Sequence, residues 1–252
     1  MKEKNHTRPP LESLACVNLD CDLYGQKGGH HLKIRKVYGR DNIRYLRCCC
    51  CQEEFSERKN TALWNSKIPE DKAVSVAEHL AEGCSLKSTA RLVKVDPGTV
   101  RRLNQKVGRH GQHYHDQKVH DVAVTELQAD ERHGFAGSKQ QPAWEAELID
   151  PASKFILAHV QGARDESLIR RLLQDGAARV RQPQEVALFT DGLSAYRILF
   201  PEIFGTAYYP PRQGTRGPQP QARFHIPRTA AHVQDIKHQS GYRLKEVEIR
   251  YV

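Results

Sequence analysis

The sequence contains no long apolar run. No stretch approaches the roughly 18 apolar residues that a membrane-spanning helix requires. No apolar segment follows the charged start "MKEKNHTRPP", as one would in a signal peptide. These absences predict a cytoplasmic protein that does not enter a membrane. No internal repeat is present either, and a length of 252 residues suggests one large domain or two to three small ones.

Acidic residues are fewer than basic ones, and the shortage lies almost entirely in the first half. Residues 1–120 carry 22 Lys and Arg against 14 Asp and Glu, an excess of +8. Residues 121–252 carry 17 against 16, an excess of +1. A basic front half favours contact with a polyanion, most simply double-stranded DNA, which would place the protein at the nucleoid. A basic surface that only keeps the protein soluble fits the charge almost as well.

The chain has seven cysteines, and six of them fall in two short segments. Cys16 and Cys21 form the first pair, and four consecutive cysteines occupy positions 48–51. Adjacent side chains of an extended segment point to opposite faces, so the four cannot all bind one metal ion. Thiols stay reduced in the cytoplasm, where clustered cysteines are more often metal ligands than disulfides.

The segment between the two cysteine groups predicts a β-hairpin, because apolar residues alternate with charged ones around the turn signal "GRDN". Two cysteine pairs that bracket a hairpin are typical of a zinc ribbon. The predicted Zn²⁺ ligands are Cys16, Cys21, Cys48 and Cys51. A slipped pairing within the run is an alternative, as is a histidine ligand such as His30 or His31. Ordinary buried or free cysteines are the remaining interpretation.

Residues 68–110 predict three helices joined by short turns. Gly83 ends the first helix, Ser85 caps the second, and Asp96 with Pro97 begins the third. Two short helices followed by a basic third helix predict a helix-turn-helix. Arg can read guanine and Asn or Gln can read adenine in the major groove. The predicted DNA-contacting residues are Thr99, Arg101, Arg102, Asn104, Gln105 and Lys106. A small helical bundle with a solvated basic face is the alternative.

From Thr125 the pattern changes to strands. Three consecutive strands, a helix and a largely apolar strand are the order of a ribonuclease-H-like α/β domain. Asp130 is expected after the first strand and Asp191 after the fourth, and these strands are neighbours in that topology. Such a pair of carboxylates would hold Mg²⁺ for phosphodiester chemistry. Each aspartate taken alone is also an ordinary turn or cap residue.

Four sets of residues together resemble the DDE-type transposases of the insertion-sequence-one family (the InsA/InsB kind). They are "CVNLDC" with "RCCCCQEEFSER", "LAEGCSLKSTARLVKVDPGTVRRL", "DERHGFAG" and "LFTDGLSAY". The resemblance implies a multidomain chain: a zinc ribbon (1–62), a helix-turn-helix region with a connecting helix (63–120) and an incomplete ribonuclease-H-like catalytic domain (121–252). It also implies self-association, binding of terminal inverted repeats, and Mg²⁺-dependent nicking and strand transfer, with Asp130 and Asp191 as the first two catalytic acids.

The sequence departs from this family at the third catalytic acid, which the family carries on a helix after the last core strand. Here the final segment predicts a hairpin with Glu246 and Glu248 on the polar face of a strand, and Asp235 has no better context. We therefore expect a truncated copy that binds DNA with little or no strand transfer. A zinc-ribbon and helix-turn-helix regulator without catalysis is the second hypothesis. Residues 208–228, rich in Pro, Gly and Arg, predict a long loop.

Overall fold

The structure is a computed structural model, and it describes residues 9–135, 138–212, 220–240 and 243–251. The chain divides into two compact units, Met1–His115 and Asp116–Val252. In the described part, the first unit has a small antiparallel sheet followed by helices, and the second is built on a six-stranded sheet. No described helix combines the length and the apolar character needed to cross a membrane.

The small sheet of the first unit has the order β1–β2–β3, with antiparallel pairing throughout. Its strands are β1 (Leu32–Tyr38), β2 (Ile43–Cys48) and β3 (Glu54–Ser56). The predicted turn joins β1 and β2, and Gly39 and Asn42 have positive φ there. The more deeply buried face of β2 carries Arg44, Leu46 and Cys48. Arg44 is tolerated on this face because Glu57 neutralises it in a largely buried ion pair.

Three helices follow the small sheet, namely α1 (Glu70–Ala81), α2 (Leu86–Val93) and α3 (Pro97–Lys118). Local capping defines their ends as the sequence predicts. The Ser88 N–H donates to Ser85 Oγ at 3.2 Å, and the Thr99 N–H donates to Asp96 Oδ1 at 3.1 Å. Gly83 follows α1 with a φ of +78°, a conformation that glycine adopts without steric cost.

One apolar cluster joins these three helices. Its buried members are Ile68, Ala73, Val76, Ala90, Val93, Val100 and Leu103. Because Val100 and Leu103 bury one side of α3, the polar residues between and after them are left on its outer side. Val107, one turn further along α3, is 37% exposed and lies outside the cluster.

The large sheet of the second unit has the order β6–β5–β4–β7–β10–β11. The unit's strands are β4 (Glu126–Phe135), β5 (Pro142–Ile149), β6 (Ile156–Gly162), β7 (Ala187–Asp191), β8 (Thr206–Tyr208), β9 (Arg223–His225), β10 (Ala231–Ser240) and β11 (Arg243–Tyr251). β4, β5 and β6 pair antiparallel, β7 is parallel to β4, and β10 is parallel to β7. β11 returns antiparallel to β10, as the predicted C-terminal hairpin requires.

Two helices, α4 (Glu166–Arg179) and α5 (Ser194–Phe204), cover one face of the large sheet. Leu127 and Ala129 of β4 are buried in that core, whereas Gln128 and Asp130 are exposed on the opposite face. Side chains alternate along a strand, so the helices bury every second residue. We call the opposite side the open face. Gly176 lets α4 approach the sheet closely, since a Cβ there would lie 2.1 Å from Leu148 Cδ2.

Two sequence expectations change in this unit. Asp130 lies inside β4 and not after it, because β4 continues its pairing with β5 as far as Phe135 opposite Pro142. The segment 208–228, expected as a loop, contains the short strand β9, which pairs with β8. The part of that segment at 213–219 lies outside the described residues.

Candidate metal centres and DNA-contacting surface

The first candidate centre is a group of four thiols. The Sγ atoms of Cys16, Cys21, Cys48 and Cys51 all lie within 4.8 Å of one another. Sγ of Cys16 is 3.6 Å from that of Cys51, and Sγ of Cys21 is 3.9 Å from that of Cys48. A tetrahedral zinc site with Zn–S bonds of about 2.3 Å places its sulfurs about 3.8 Å apart. The group can therefore hold a zinc ion.

Two turns bring these thiols together. In the first, the Cys21 N–H donates to the Asn18 carbonyl at 3.2 Å, and the Gly25 N–H closes the surrounding loop by donating to the Cys16 carbonyl at 3.1 Å. In the second, the Gln52 N–H donates to the Cys48 carbonyl at 3.1 Å. That turn leaves Cys49 and Cys50 exposed. Among the described residues, neither His30 nor His31 belongs to the four-ligand group.

The thiols of this group differ in acidity. Burial raises the pKa of Cys16 to about 12. The backbone N–H of Glu53 donates to the Cys51 sulfur and lowers its pKa to about 7. Zinc binds thiolates, so its binding would release protons, and the affinity would fall as the pH falls.

The predicted DNA-contacting residues all lie on α3. Arg101, Arg102, Asn104, Gln105 and Lys106 are exposed, and Thr99 is half-buried. Two of the basic side chains have partners within the unit. Arg102 Nη2 donates to Thr99 Oγ1 at 3.1 Å, and Lys106 Nζ donates to the carbonyl of Trp64 at 2.8 Å. Lys106 therefore ties α3 to the loop between β3 and α1, a structural role that the sequence did not indicate.

Asp130 and Asp191 are brought together by the parallel register of β4 and β7. Glu126 pairs with Ala187 and Gln128 with Phe189, each with the same offset. The recorded pairs end at Gln128, and the same offset carried two residues further places Asp130 beside Asp191. Both side chains line one pocket on the open face.

A third carboxylate belongs to the same pocket. Asp235 of β10 pairs directly with Asp191 of β7, and it also lines the pocket. Sequence reasoning left Asp235 without a role because its segment has no motif. The signal that would have found it is the strand alternation of β10 combined with parallel pairing to β7. Asp130, Asp191 and Asp235 thus form a transverse line across three neighbouring strands.

Hydrogen bonds around the turn that follows β7 hold Asp191 in place. Its Oδ1 accepts from the Leu193 N–H at 2.9 Å, which fixes the carboxylate at the strand end. The buried Gln234 donates from Nε2 to the carbonyls of Asp191 at 2.8 Å and Leu193 at 3.2 Å. Gln234 therefore joins β10 to the turn after β7.

The residue after Asp130 has a different environment. The Glu131 side chain is only 1% exposed, and it accepts from the Tyr196 hydroxyl and, at 3.2 Å, from Arg164 Nη2. The same Arg164 nitrogen lies 3.9 Å from Asp191 Oδ2, and its guanidinium stacks over the Trp144 ring. Burial and the neighbouring Glu131 carboxylate raise the pKa of Tyr196. Arg164 thus balances the charges of Glu131 and Asp191.

A second group of ligands lies on the open face, where Glu145, Glu147 and His159 place ligand atoms within 4.8 Å of one another. Glu147 of β5 pairs with Asp130 of β4 and, on its other side, with His159 of β6. The transverse line therefore continues from Asp235 to His159 across five strands. The group can hold a divalent ion.

Comparisons with known proteins give little beyond this geometry. No family model matches the chain, and no curated protein matches it. The crystal structure of the Mos1 strand transfer complex is similar over 53% of this chain and 55% of that chain, with 10% sequence identity and a TM-score of 0.22. The similarity thus spans about half the length of that chain. A TM-score this low does not establish a shared fold.

Proposed function

We propose that this chain is a DNA-binding enzyme of the transposase class that cleaves phosphodiester bonds with Mg²⁺. The first unit would bind double-stranded DNA, and the second would carry the chemistry. The observation that carries the proposal is the line of Asp130, Asp191 and Asp235, which places three carboxylates in one pocket on an open sheet face.

The strand order of the large sheet supports a more specific proposal, which concerns the family of transposases. An antiparallel β4–β5–β6 meander, a helical crossover and β7 returning parallel to β4 make up a ribonuclease-H-like order, with β10 added next to β7. With the four sequence motifs, this order supports membership of the insertion-sequence-one transposases. Recognition of terminal inverted repeats, self-association and a place at the nucleoid belong to the same proposal, with little or no strand transfer because the helix-borne third acid of that family is missing.

The carboxylates of the pocket fit Mg²⁺. This ion takes oxygen ligands and keeps several of its waters, so a partly exposed site suits it. Asp130 and Asp191 would hold the ion, and Asp235 would supply the third carboxylate. Bound Mg²⁺ would stabilise charge on the attacking and leaving oxygens of a phosphodiester. Leu193 and Gln234 fix the position of Asp191 before any ion binds. We therefore propose nicking activity without an acid from a further helix.

The first unit fits DNA by charge and by shape. The four thiols would hold zinc and so fix the small sheet, and α3 presents Arg101, Asn104 and Gln105 outward. A helix with such side chains suits the major groove, in the manner of a helix-turn-helix. Lys106 would contribute to DNA binding indirectly, by holding the loop that contains Trp64.

The test is nicking of supercoiled plasmid DNA in Mg²⁺ by Asp130→Asn and Asp191→Asn variants. Both substitutions keep the side-chain size and remove the charge. We expect each to lower the nicking rate by at least about 100-fold, as for residues that stabilise a transition state directly, and to leave DNA affinity unchanged. Glu185→Gln is the matched control, since Glu185 is exposed in the same unit outside the pocket. Nicking that survives in Asp191→Asn would overturn the proposal.

A regulator without catalysis is the second candidate. The observation that favours it is the presence of cations beside the carboxylates. Arg164 lies 3.9 Å from Asp191, and Lys237 lines the same pocket, so the acidic charge is partly balanced without a metal ion. Under this reading the wild-type chain binds DNA without nicking it, and the aspartate variants change neither property.

A further inference from the structure

The geometry of β5 and β6 creates a three-ligand site on the open face. Glu145 and Glu147 are two residues apart on one strand, so their side chains point the same way. His159 is the direct cross-strand partner of Glu147, and its side chain is on the same face. The ligand atoms of all three lie within 4.8 Å of one another, and all three residues are half-buried. Three converging ligands on one side of an ion leave its other side open to water.

Two neighbours contact this group. Gln161 Nε2 donates to Glu145 Oε1 at 3.2 Å, an outer contact of the kind that fixes metal ligands. Arg132 donates to the Glu145 carboxylate and lies 3.7 Å from that of Glu147. The hydrogen bond from Arg132 lowers the pKa of Glu145.

We propose that Glu145, Glu147 and His159 form a divalent-cation site that prefers a transition-metal ion such as Mn²⁺ to Mg²⁺, and that Arg132 competes with the ion for the two carboxylates. The imidazole sets the preference, because nitrogen ligands suit first-row transition metals whereas Mg²⁺ takes oxygen. Arg132 is the natural competitor because its side chain is 71% exposed and can swing away into solvent.

The site is separate from the carboxylates of the proposed function but next to them. Glu147 pairs with Asp130, so an ion bound here would lie one strand away from the nicking centre. The inference does not rest on that centre, since its ligands come from β5 and β6 alone. The site can bind an ion in a chain that does not nick DNA, and nicking can occur in a chain that binds no ion at this site.

The experiment measures Mn²⁺ binding to the full chain with zinc present at the thiols. The electron paramagnetic resonance signal of free Mn²⁺ reports how much of the ion remains unbound. His159→Gln and Glu147→Gln should each lower Mn²⁺ affinity at this site at least tenfold. Arg132→Ala should raise it several-fold, and a large excess of Mg²⁺ should displace this Mn²⁺ poorly. His120→Gln is the matched control, because His120 is an exposed histidine of the same unit outside the ligand group.

Two further variants separate this site from the nicking centre. Asp191→Asn and Asp235→Asn should leave Mn²⁺ affinity at this site unchanged, because neither residue belongs to the group. Circular dichroism of each ion-free variant checks that it folds, and Arg132→Ala provides a gain of affinity that misfolding cannot mimic. Unchanged Mn²⁺ affinity in a folded His159→Gln variant would overturn the proposal. So would an affinity in Arg132→Ala that is equal to the wild type or lower.

Discussion

The thiol group and the line of Asp130, Asp191 and Asp235 are built in opposite ways. The thiol group of the first unit draws its ligands from two tight turns, and Cys16, Cys21 and Cys48 are buried. The carboxylate line of the second unit draws one residue from each of several strands, and its members reach solvent on an open face. A buried soft-ligand site suits a structural ion, whereas an exposed oxygen site suits an ion that meets substrate.

The difference concerns stability as well as chemistry. The first unit has a small apolar cluster around its thiols, so a zinc ion would supply much of its folding free energy. The second unit has a larger core that does not involve the carboxylates. Removing ligands should therefore unfold part of the first unit but only disable the second.

The largest effect should come from Cys48→Ser. Losing one thiolate of four should release the zinc and with it a large share of the roughly 10–16 kcal/mol that structural zinc sites provide. The neighbouring Cys49→Ser is the matched control, because Cys49 is exposed. Zinc content by mass spectrometry and thermal unfolding measure both variants. Equal zinc loss in the two would mean that the thiol group is not the binding site.

The next largest effect concerns the buried core of the second unit. His232 is fully buried, with Nε2 3.0 Å from Thr190 Oγ1, and burial lowers its pKa from 6.5 to about 4. Below pH 6.5 the His232 imidazole is protonated in the unfolded chain, whereas in the folded chain it stays neutral until the pH approaches 4. Stability should therefore be full above pH 6.5 and fall by roughly 3 kcal/mol between pH 6.5 and 4.

Urea unfolding across this pH range, with His232→Gln as the comparison, isolates that contribution. The variant lacks the imidazole, so its stability should fall less steeply with pH than that of the wild type. Parallel pH profiles for the two chains would contradict the assignment of a neutral buried histidine.

The smallest effects should appear on α3. Arg101→Ala should weaken DNA binding by about 1–3 kcal/mol if Arg101 reads a base. If Arg101 contacts a phosphate, the substitution should lower the slope of log affinity against log salt concentration by about one.

Lys106→Ala should instead lower the free energy of unfolding of the unit by about 1 kcal/mol, because it loses its bonds to the Trp64 and Asn65 carbonyls. Fluorescence anisotropy against salt, with thermal melts, separates the two; swapped phenotypes would contradict the assigned contacts.

Local signals predicted several elements of both units. The caps at Ser85 and Asp96, the left-handed Gly83 and the β10–β11 hairpin are each determined by residues within a few positions. The spacing of Cys48 and Cys51 is likewise local, since a single turn brings residues three apart to the same side.

Long-range register was harder to predict. Asp130 lies inside β4 because pairing with β5 extends the strand, and that pairing depends on residues beyond the next turn. Asp235 enters the line only through parallel pairing with β7. Glu131 is buried against Tyr196, which belongs to α5, a helix that the sequence pattern did not predict. In each case the deciding partner is distant in sequence.

The central claim is that Asp130 and Asp191 share a divalent ion. The most direct test is a crystal of the chain soaked in Mn²⁺, with anomalous scattering measured at the manganese edge. The account predicts a peak within about 2.5 Å of a carboxylate oxygen of both aspartates, allowing slightly longer bonds than the 2.0–2.1 Å typical of Mg²⁺. Asp130 and Asp191 carboxylates too far apart to touch one ion, or manganese that contacts neither of them, would contradict it.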